Sequence, residues 1–112
     1  MTNYWVSYKL LTSTTFDKEF KALCKKHKSA KEDVASFVRT LQDNPHQGIS
    51  LGNNCYKIRI SIKSKGKGKS GGARLITYVC VLDEELYLLS IYDKSEKETI
   101  SDKELRNILA DL

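Results

Sequence analysis

Four cations and one glycine-rich loop carry the chemistry open to this chain. Lys57 and Arg59 stand two apart in the alternating run CYKIRISIK (55–63), so both leave a strand on the same side. Arg74 opens the next apolar run, ARLITYVCVL, and Lys94 follows the last one in IYDKSEKE. Positive groups gathered around one groove suit in-line cleavage of a phosphodiester. In that reaction negative charge grows on the phosphoryl oxygens and on both the attacking and leaving oxygens. Such chemistry requires no metal and no cofactor.

The loop joining the first two runs, KSKGKGKSGG (63–72), contains Gly68-Lys69-Ser70, the tail of a nucleotide-binding P-loop. A P-loop also needs a glycine five residues before that pair and a helix directly after it. Here the earlier position is Lys63 and a strand follows, which excludes the nucleotide reading. Gly66, Gly68, Gly71 and Gly72 permit a close backbone approach. Lys63, Lys65, Lys67 and Lys69 present point charges between them, as a hairpin gripping a nucleic-acid backbone would.

Charge is distributed accordingly. The net charge is +5, and residues 57–74 hold seven cations and no acid, while the last thirty residues hold nine acids against four bases. One segment therefore supplies the whole positive surplus and attracts a polyanion by field and counterion release. Cys24, Cys55 and Cys80 are odd in number and widely spaced in apolar surroundings, so they read as reduced core thiols rather than a disulfide framework or a zinc site. His27 ends a helix among lysines and His46 follows Pro45, so neither is placed to activate a nucleophile.

These groups need elements to hold them. At 112 residues the chain is expected to form one domain, 1–112, and with no apolar run long enough for a membrane span or signal peptide it is expected to be cytoplasmic. Tyr4 to Leu11 alternates as a strand, with Tyr4, Trp5 and Tyr8 packing the sheet. Thr14 to Asp17 reads as a capping box opening an amphipathic helix through Phe16, Phe20, Leu23 and Cys24. Ser29 to Glu32 reads as a second one, opening a helix through Val34, Phe37, Val38 and Leu41 that Asn44-Pro45 stops. Three strands follow, 55–63, Ala73–Leu82 and Leu86–Tyr92, the last two joined by the turn Asp83-Glu84-Glu85. Ser101, with Glu104 three residues on, opens a short final helix. The order β-α-α-β-β-β-α predicts an α+β fold: a curved, mostly antiparallel sheet backed by a helical hairpin, its other face open and positive.

The ordered set YKIR (56–59), KGKSGGAR (67–74) and LLSIYDKSE (88–96), after a helical hairpin ending in NPHQG (44–48), resembles the RelE/HigB-type toxins of bacterial type II toxin–antitoxin modules, in the RelE/ParE superfamily. The resemblance covers nearly the whole chain. It implies an mRNA interferase, an endoribonuclease cutting mRNA, usually in the ribosomal A site, and so inhibiting translation. The implied reaction is metal-free: the RNA 2′-hydroxyl attacks its own phosphate and leaves a 2′,3′-cyclic phosphate. A cognate antitoxin protein is the implied partner, besides mRNA and the ribosome.

Carried over residue by residue, Lys57 matches a transition-state-stabilising lysine and Arg74 a phosphate-holding arginine. Lys94 falls where an arginine acts near the leaving oxygen, and lysine is the better acid there. Arg59 stands where some relatives use lysine as general base, a role closed to a guanidinium, so the base lies elsewhere or charge stabilisation dominates. A stacking tyrosine of the relatives has no match near Thr99-Ile100, which leaves Tyr92 as the nearest candidate. Two other activities fit the same fold: a ParE-like gyrase inhibitor, against which the clustered strand cations stand, and a non-catalytic RNA-binding module.

Overall fold

The computed structural model describes residues 7–112. Its elements run β1 (Lys9–Thr12), α1 (Thr14–Lys26), α2 (Ala30–Asp43), β2 (Ile49–Gly52), β3 (Cys55–Ile60), β4 (Ala73–Cys80), β5 (Glu85–Asp93) and α3 (Asp102–Ala110). A single 3-10 turn, Lys63–Lys65, follows β3. The five strands form one sheet in the order β1-β5-β4-β3-β2, antiparallel throughout except where β1 runs parallel to β5. This is the expected α+β arrangement with one strand more, β2. Of the expected first strand, Tyr4 to Leu11, the strand itself runs Lys9–Thr12 with Tyr8 just before it, and Tyr4 and Trp5 lie outside the described residues.

At the helix starts, local capping signals compete with bonds to distant partners. The cap of α1 is Ser13, not Thr14: its hydroxyl accepts the Phe16 N–H at 2.9 Å and donates to the Leu89 carbonyl at 2.6 Å. One side chain thereby closes the helix end and fastens it to β5. Ser29 precedes α2 but makes no cap bond to it, because its hydroxyl donates to Asp33 at 2.7 Å and accepts the Ser64 N–H at 2.8 Å. The capping box expected there is replaced by a clasp on the loop after β3. At α3 the expected box is present in full, Ser101 accepting from Glu104 N–H and Glu104 from Ser101 N–H.

Alternation along the strands divides the core in two. Ile58, Ile60, Ile62, Leu75, Val79, Leu88 and Ile91 meet the apolar faces of α1 and α2, where Phe16, Leu23, Val34, Val38 and Leu41 are buried. The opposite face is not left open along its whole length. Cys55, Ile76, Leu89 and Tyr92 pack there against Ile100, Leu105 and Ile108 of the C-terminal segment. The helix α3 thus covers one part of that face, and the cations remain uncovered beside it.

Strand β2 reaches β3 through Asn53 and Asn54, both with positive φ (52° and 62°), a two-residue hairpin turn of the primed type. Gly72 is fixed by proximity instead: a Cβ there would lie 2.0 Å from the Ile60 carbonyl oxygen. Gly66, at φ 71°, ends the 3-10 turn in open space. Gly72→Ala is therefore expected to cost about 2–3 kcal/mol by forcing β3 and β4 apart, and Gly66→Ala only about 1 kcal/mol for its left-handed backbone. Urea midpoints of the two variants, compared at equal slope, check the ordering.

Candidate functional site

The sheet register assembles the cations. Arg59 lies opposite Arg74, and Arg74 opposite Tyr92, in one row across β3, β4 and β5. Lys57 sits two residues back along β3, across from Ile49 of β2. Lys57, Arg59, Arg74 and Lys94 line a single cleft of about 210 Å³, whose wall is completed by Ile49, Glu98 and Thr99. The four cations singled out by spacing thus converge, and sequence reasoning missed two neighbours of consequence. Thr99 accepts from Lys57 Nζ at 3.4 Å, and Glu98 accepts from Lys94 Nζ at 3.0 Å.

Arg74 is only 5% exposed. Its Nη1 donates to the carbonyls of Lys69 (3.0 Å) and Ala73 (3.2 Å), and its Nη2 to that of Ser70 (3.1 Å). It has five N–H donors, and among the described residues no partner takes its Nε–H. Arg74 therefore shapes the glycine-rich loop and keeps its positive charge, because carbonyls satisfy hydrogen bonds without neutralising it. The field is visible on Glu98. Lys94, by hydrogen bond and charge, holds its carboxyl below the ordinary glutamate value against the opposing effect of burial, with lesser contributions from Arg74 and Lys57.

Two expected RNA contacts are placed elsewhere. The Lys65 side chain is 7% exposed, and its ammonium is bonded to Asp93 and to the Gly72 carbonyl (3.3 Å), so it belongs to the interior rather than to the gripping lysines. Tyr92, 6% exposed, is a member of the second core cluster, with Lys97 Nζ 4.9 Å above its ring, and has no face free for a base. The causes differ: Lys65, the last residue of the 3-10 turn, is drawn inward by Asp93, and Tyr92 is covered by Ile100, Leu105 and Ile108, and sequence spacing reveals neither. Lys63, Lys67 and Lys69 remain exposed, and Lys63 and Lys69 line a groove with Arg59 between β3 and α2.

A buried carboxylate holds this arrangement. Asp93 accepts from Lys65 Nζ, His27 Nε2 (2.7 Å), Ser95 N–H (2.9 Å) and Ser95 Oγ (2.7 Å). The Gly72 carbonyl also takes the Lys94 N–H at 3.0 Å, which fixes that residue to the loop. His27 is thus a support outside the cleft, and His46 lies against the Tyr56 hydroxyl at 3.0 Å. Burial would raise the Asp93 carboxyl, but the bonds from Lys65, Ser95 and His27 outweigh it and hold it well below the usual carboxylate range.

Cys55 and Cys24 behave as expected of core thiols, burial pushing the first up to about 11 and raising the second, whereas Cys80 is part-buried at the β4–β5 turn. One trio among the described residues brings possible metal ligands within 4.8 Å, Cys80, Asp83 and Glu85 at the β4–β5 turn. Its members are already bonded, Cys80 to Asp83 and Tyr87 to Glu85, and it lies outside the cation cleft.

The chain thus combines a five-stranded sheet, a helical hairpin on one face and a cleft of basic side chains, the architecture of a small α+β domain with a cationic site. Residues 14–110 match the model of the RelE toxin of the RelE/RelB toxin–antitoxin system, and the chain belongs to that family. Among solved structures it is similar to the isolated E. coli RelE toxin (16% identity, TM-score 0.58, covering 95% of this chain and 100% of that one). A double mutant of E. coli RelE in the free state matches at 15% identity and TM-score 0.58, covering 94% and 93%. The toxin–antitoxin complex RelBE2 of Mycobacterium tuberculosis matches at 14% identity and TM-score 0.55, covering 82% and 97%. Among the described residues no helix is long and apolar enough to cross a membrane.

Removing the Asp93 charge should show how far the site depends on it. Asp93→Asn leaves the Lys65 ammonium buried without its counter-ion and is expected to cost about 3–5 kcal/mol. In the wild type the depressed carboxyl stabilises the fold above the unfolded-state value of about 3.9, and this contribution fades as pH falls below about 5. Urea denaturation from pH 7 to pH 3 should show that loss in the wild type and a reduced slope in Asp93→Asn. A variant within 1 kcal/mol of wild type at pH 7 would remove Asp93 from this role.

Proposed function

We propose that this chain is an endoribonuclease that cuts mRNA at a ribosome-bound site and so arrests translation, its activity restrained by a cognate antitoxin. The observation that carries the reading is the convergence of Lys57, Arg59, Arg74 and Lys94 on one cleft. A polyanion bound there meets charge from β3, β4 and the connection after β5, and a groove lined by Arg59, Lys63 and Lys69, with Glu32 and Asp33 on its α2 side, adjoins it at Arg59.

In the proposed reaction the 2′-hydroxyl of the RNA attacks the adjacent phosphorus, and the 5′-oxygen leaves. The charge that builds on the phosphoryl oxygens lies against Lys57 and Arg74, and Lys94 stands near the leaving oxygen. Arg59 holds the neighbouring phosphate and does not move protons. Lys63, Lys67 and Lys69 steer and grip the flanking backbone, a contribution that salt weakens. Support for the antitoxin comes from the family and from the similar toxin of Mycobacterium tuberculosis, solved in complex with its antitoxin. An acidic segment laid over the cleft would be complementary to it.

The test is cleavage of a short mRNA by the purified chain, with and without programmed ribosomes, with the new ends identified. Cuts at defined positions ending in 2′,3′-cyclic phosphate, undiminished by a chelator, are expected. Lys57→Ala should slow them about 10²–10³-fold, the typical loss for one charge-stabilising donor, without lowering the urea midpoint. Arg74→Ala should lose cleavage and also loosen the loop whose carbonyls it holds. Intact RNA in both settings, with binding retained, would instead describe a module that grips RNA without cutting it.

A further inference from the structure

Attack by a 2′-hydroxyl requires a group that can take its proton, and the cleft contains few candidates. Lysine and arginine side chains reach neutral pH already protonated, and a threonine hydroxyl is no base. Both histidines are committed elsewhere, His27 to Asp93 and His46 to Tyr56. One carboxylate remains among the described residues lining the cleft, Glu98.

Its placement fits the task. The Glu98 side chain is 84% exposed and reaches the cleft from the connection between β5 and α3. Only its Oε1 is engaged, by Lys94 Nζ at 3.0 Å, and among the described residues Oε2 takes no bond. The charged groups facing it are Lys57 and Arg59 from β3, Arg74 from β4 and Lys94 from the end of β5. The anchors on either side limit its travel: Asp93 bonds Ser95 before it, and buried Ile100 and the Ser101–Glu104 box follow it.

We propose, resting on the ribonuclease reading above, that Glu98 is the general base of this cleft and Lys94 its paired general acid. As the 2′-oxygen bonds to phosphorus, its proton passes to the free oxygen of Glu98. As the bond from phosphorus to the 5′-oxygen breaks, that oxygen takes a proton from the Lys94 ammonium. The proton on Glu98 then crosses the Glu98–Lys94 contact to the amine and restores both groups, so no co-reactant is consumed. The surrounding cations keep the carboxylate ionised through the neutral range, ready to accept a proton whenever RNA is bound.

The experiment is single-turnover cleavage of an oligoribonucleotide, on ribosomes if the wild type needs them, by the wild type, Glu98→Gln and Lys94→Gln. A second substrate carries sulfur in place of the scissile 5′-oxygen, a leaving group that departs without an acid. Glu98→Gln is expected to slow cleavage about 10²–10⁴-fold, with RNA affinity unchanged or tighter and an unchanged melting temperature. It should also lack the loss of rate that the wild type shows at acid pH. Sulfur substitution should restore Lys94→Gln toward the wild-type rate and leave Glu98→Gln slow. A Glu98→Gln variant that cuts as fast as the wild type or faster, while the wild type cuts normally, overturns this assignment alone and makes the carboxylate a mere occupant of the phosphate site. A wild type that leaves RNA intact in every setting overturns the ribonuclease reading and this proposal with it.

Discussion

The buried carboxylate of Asp93 is the interaction on which the rest of the site depends. It ends β5, and its hydrogen bonds come from three separate places: His27 at the end of α1, Lys65 after β3, and Ser95 in the connection toward α3. The carboxylate takes four hydrogen bonds, three on Oδ1 from Lys65 and Ser95 and one on Oδ2 from His27. An isolated charge at that depth would be untenable, so its partners are as constrained as the acid itself. The Gly72 carbonyl, bonded by both Lys65 Nζ and Lys94 N–H, carries the constraint into the cleft. Arg74 extends it through the carbonyls of Lys69 and Ser70. A loop of glycines and lysines, otherwise the least determined part of the chain, thereby acquires a defined shape.

The two interior cations are treated differently, and the difference sets the electrostatics. Lys65 is neutralised by Asp93 and adds little to the outward field. Arg74 is solvated by backbone carbonyls alone, so its charge still acts on whatever enters the cleft, and at short range under low exposure such charge is weakly screened. Together with Lys57, Lys94 and the exposed Arg59 it yields a region of one sign although the last thirty residues are acidic. Glu98 is the exception inside that region, and its lowered carboxyl records the field of its neighbours.

Much of this was legible in the sequence where a single strong pattern ruled. Alternation in CYKIRISIK placed Lys57 and Arg59 on one face and Ile58, Ile60 and Ile62 in the core. Ser101 and Glu104 marked α3 without ambiguity. Misreadings arose where one side chain serves a distant partner. Ser29 has a capping-box sequence, but bonding to Asp33 and Ser64 across the chain won over the local cap. Lys65 is indistinguishable in sequence from Lys63 and Lys67, and only the fold brings Asp93 beneath it. The strand β2 escaped notice because ISLG is short, ends in glycine and exposes Ile49, and its Asn53-Asn54 turn is a weaker signal than Asn-Gly. The cover that α3 gives to Tyr92 likewise follows from packing, not from the spacing of Leu105 and Ile108.

The site combines two kinds of support. Lys57, Arg59 and Arg74 stand on strands whose register is fixed by paired backbone bonds, so their relative positions follow from the sheet itself. Lys94, Glu98 and Thr99 stand on a connection that has no ladder to hold it. It is instead pinned at its start by Asp93 and Ser95 and at its end by the cap of α3, with Lys97 bonded to Glu104 at 2.7 Å across the interval. Between these anchors Lys94 is held again by its N–H on the Gly72 carbonyl, while the Glu98 side chain stands exposed. The strand cations are thus fixed by register, and Lys94 and Glu98 by the bonds at either end of the connection beside them. This division also accounts for the position of the Asp93 network, at the one point where the rigid sheet, the gripping loop and that connection meet.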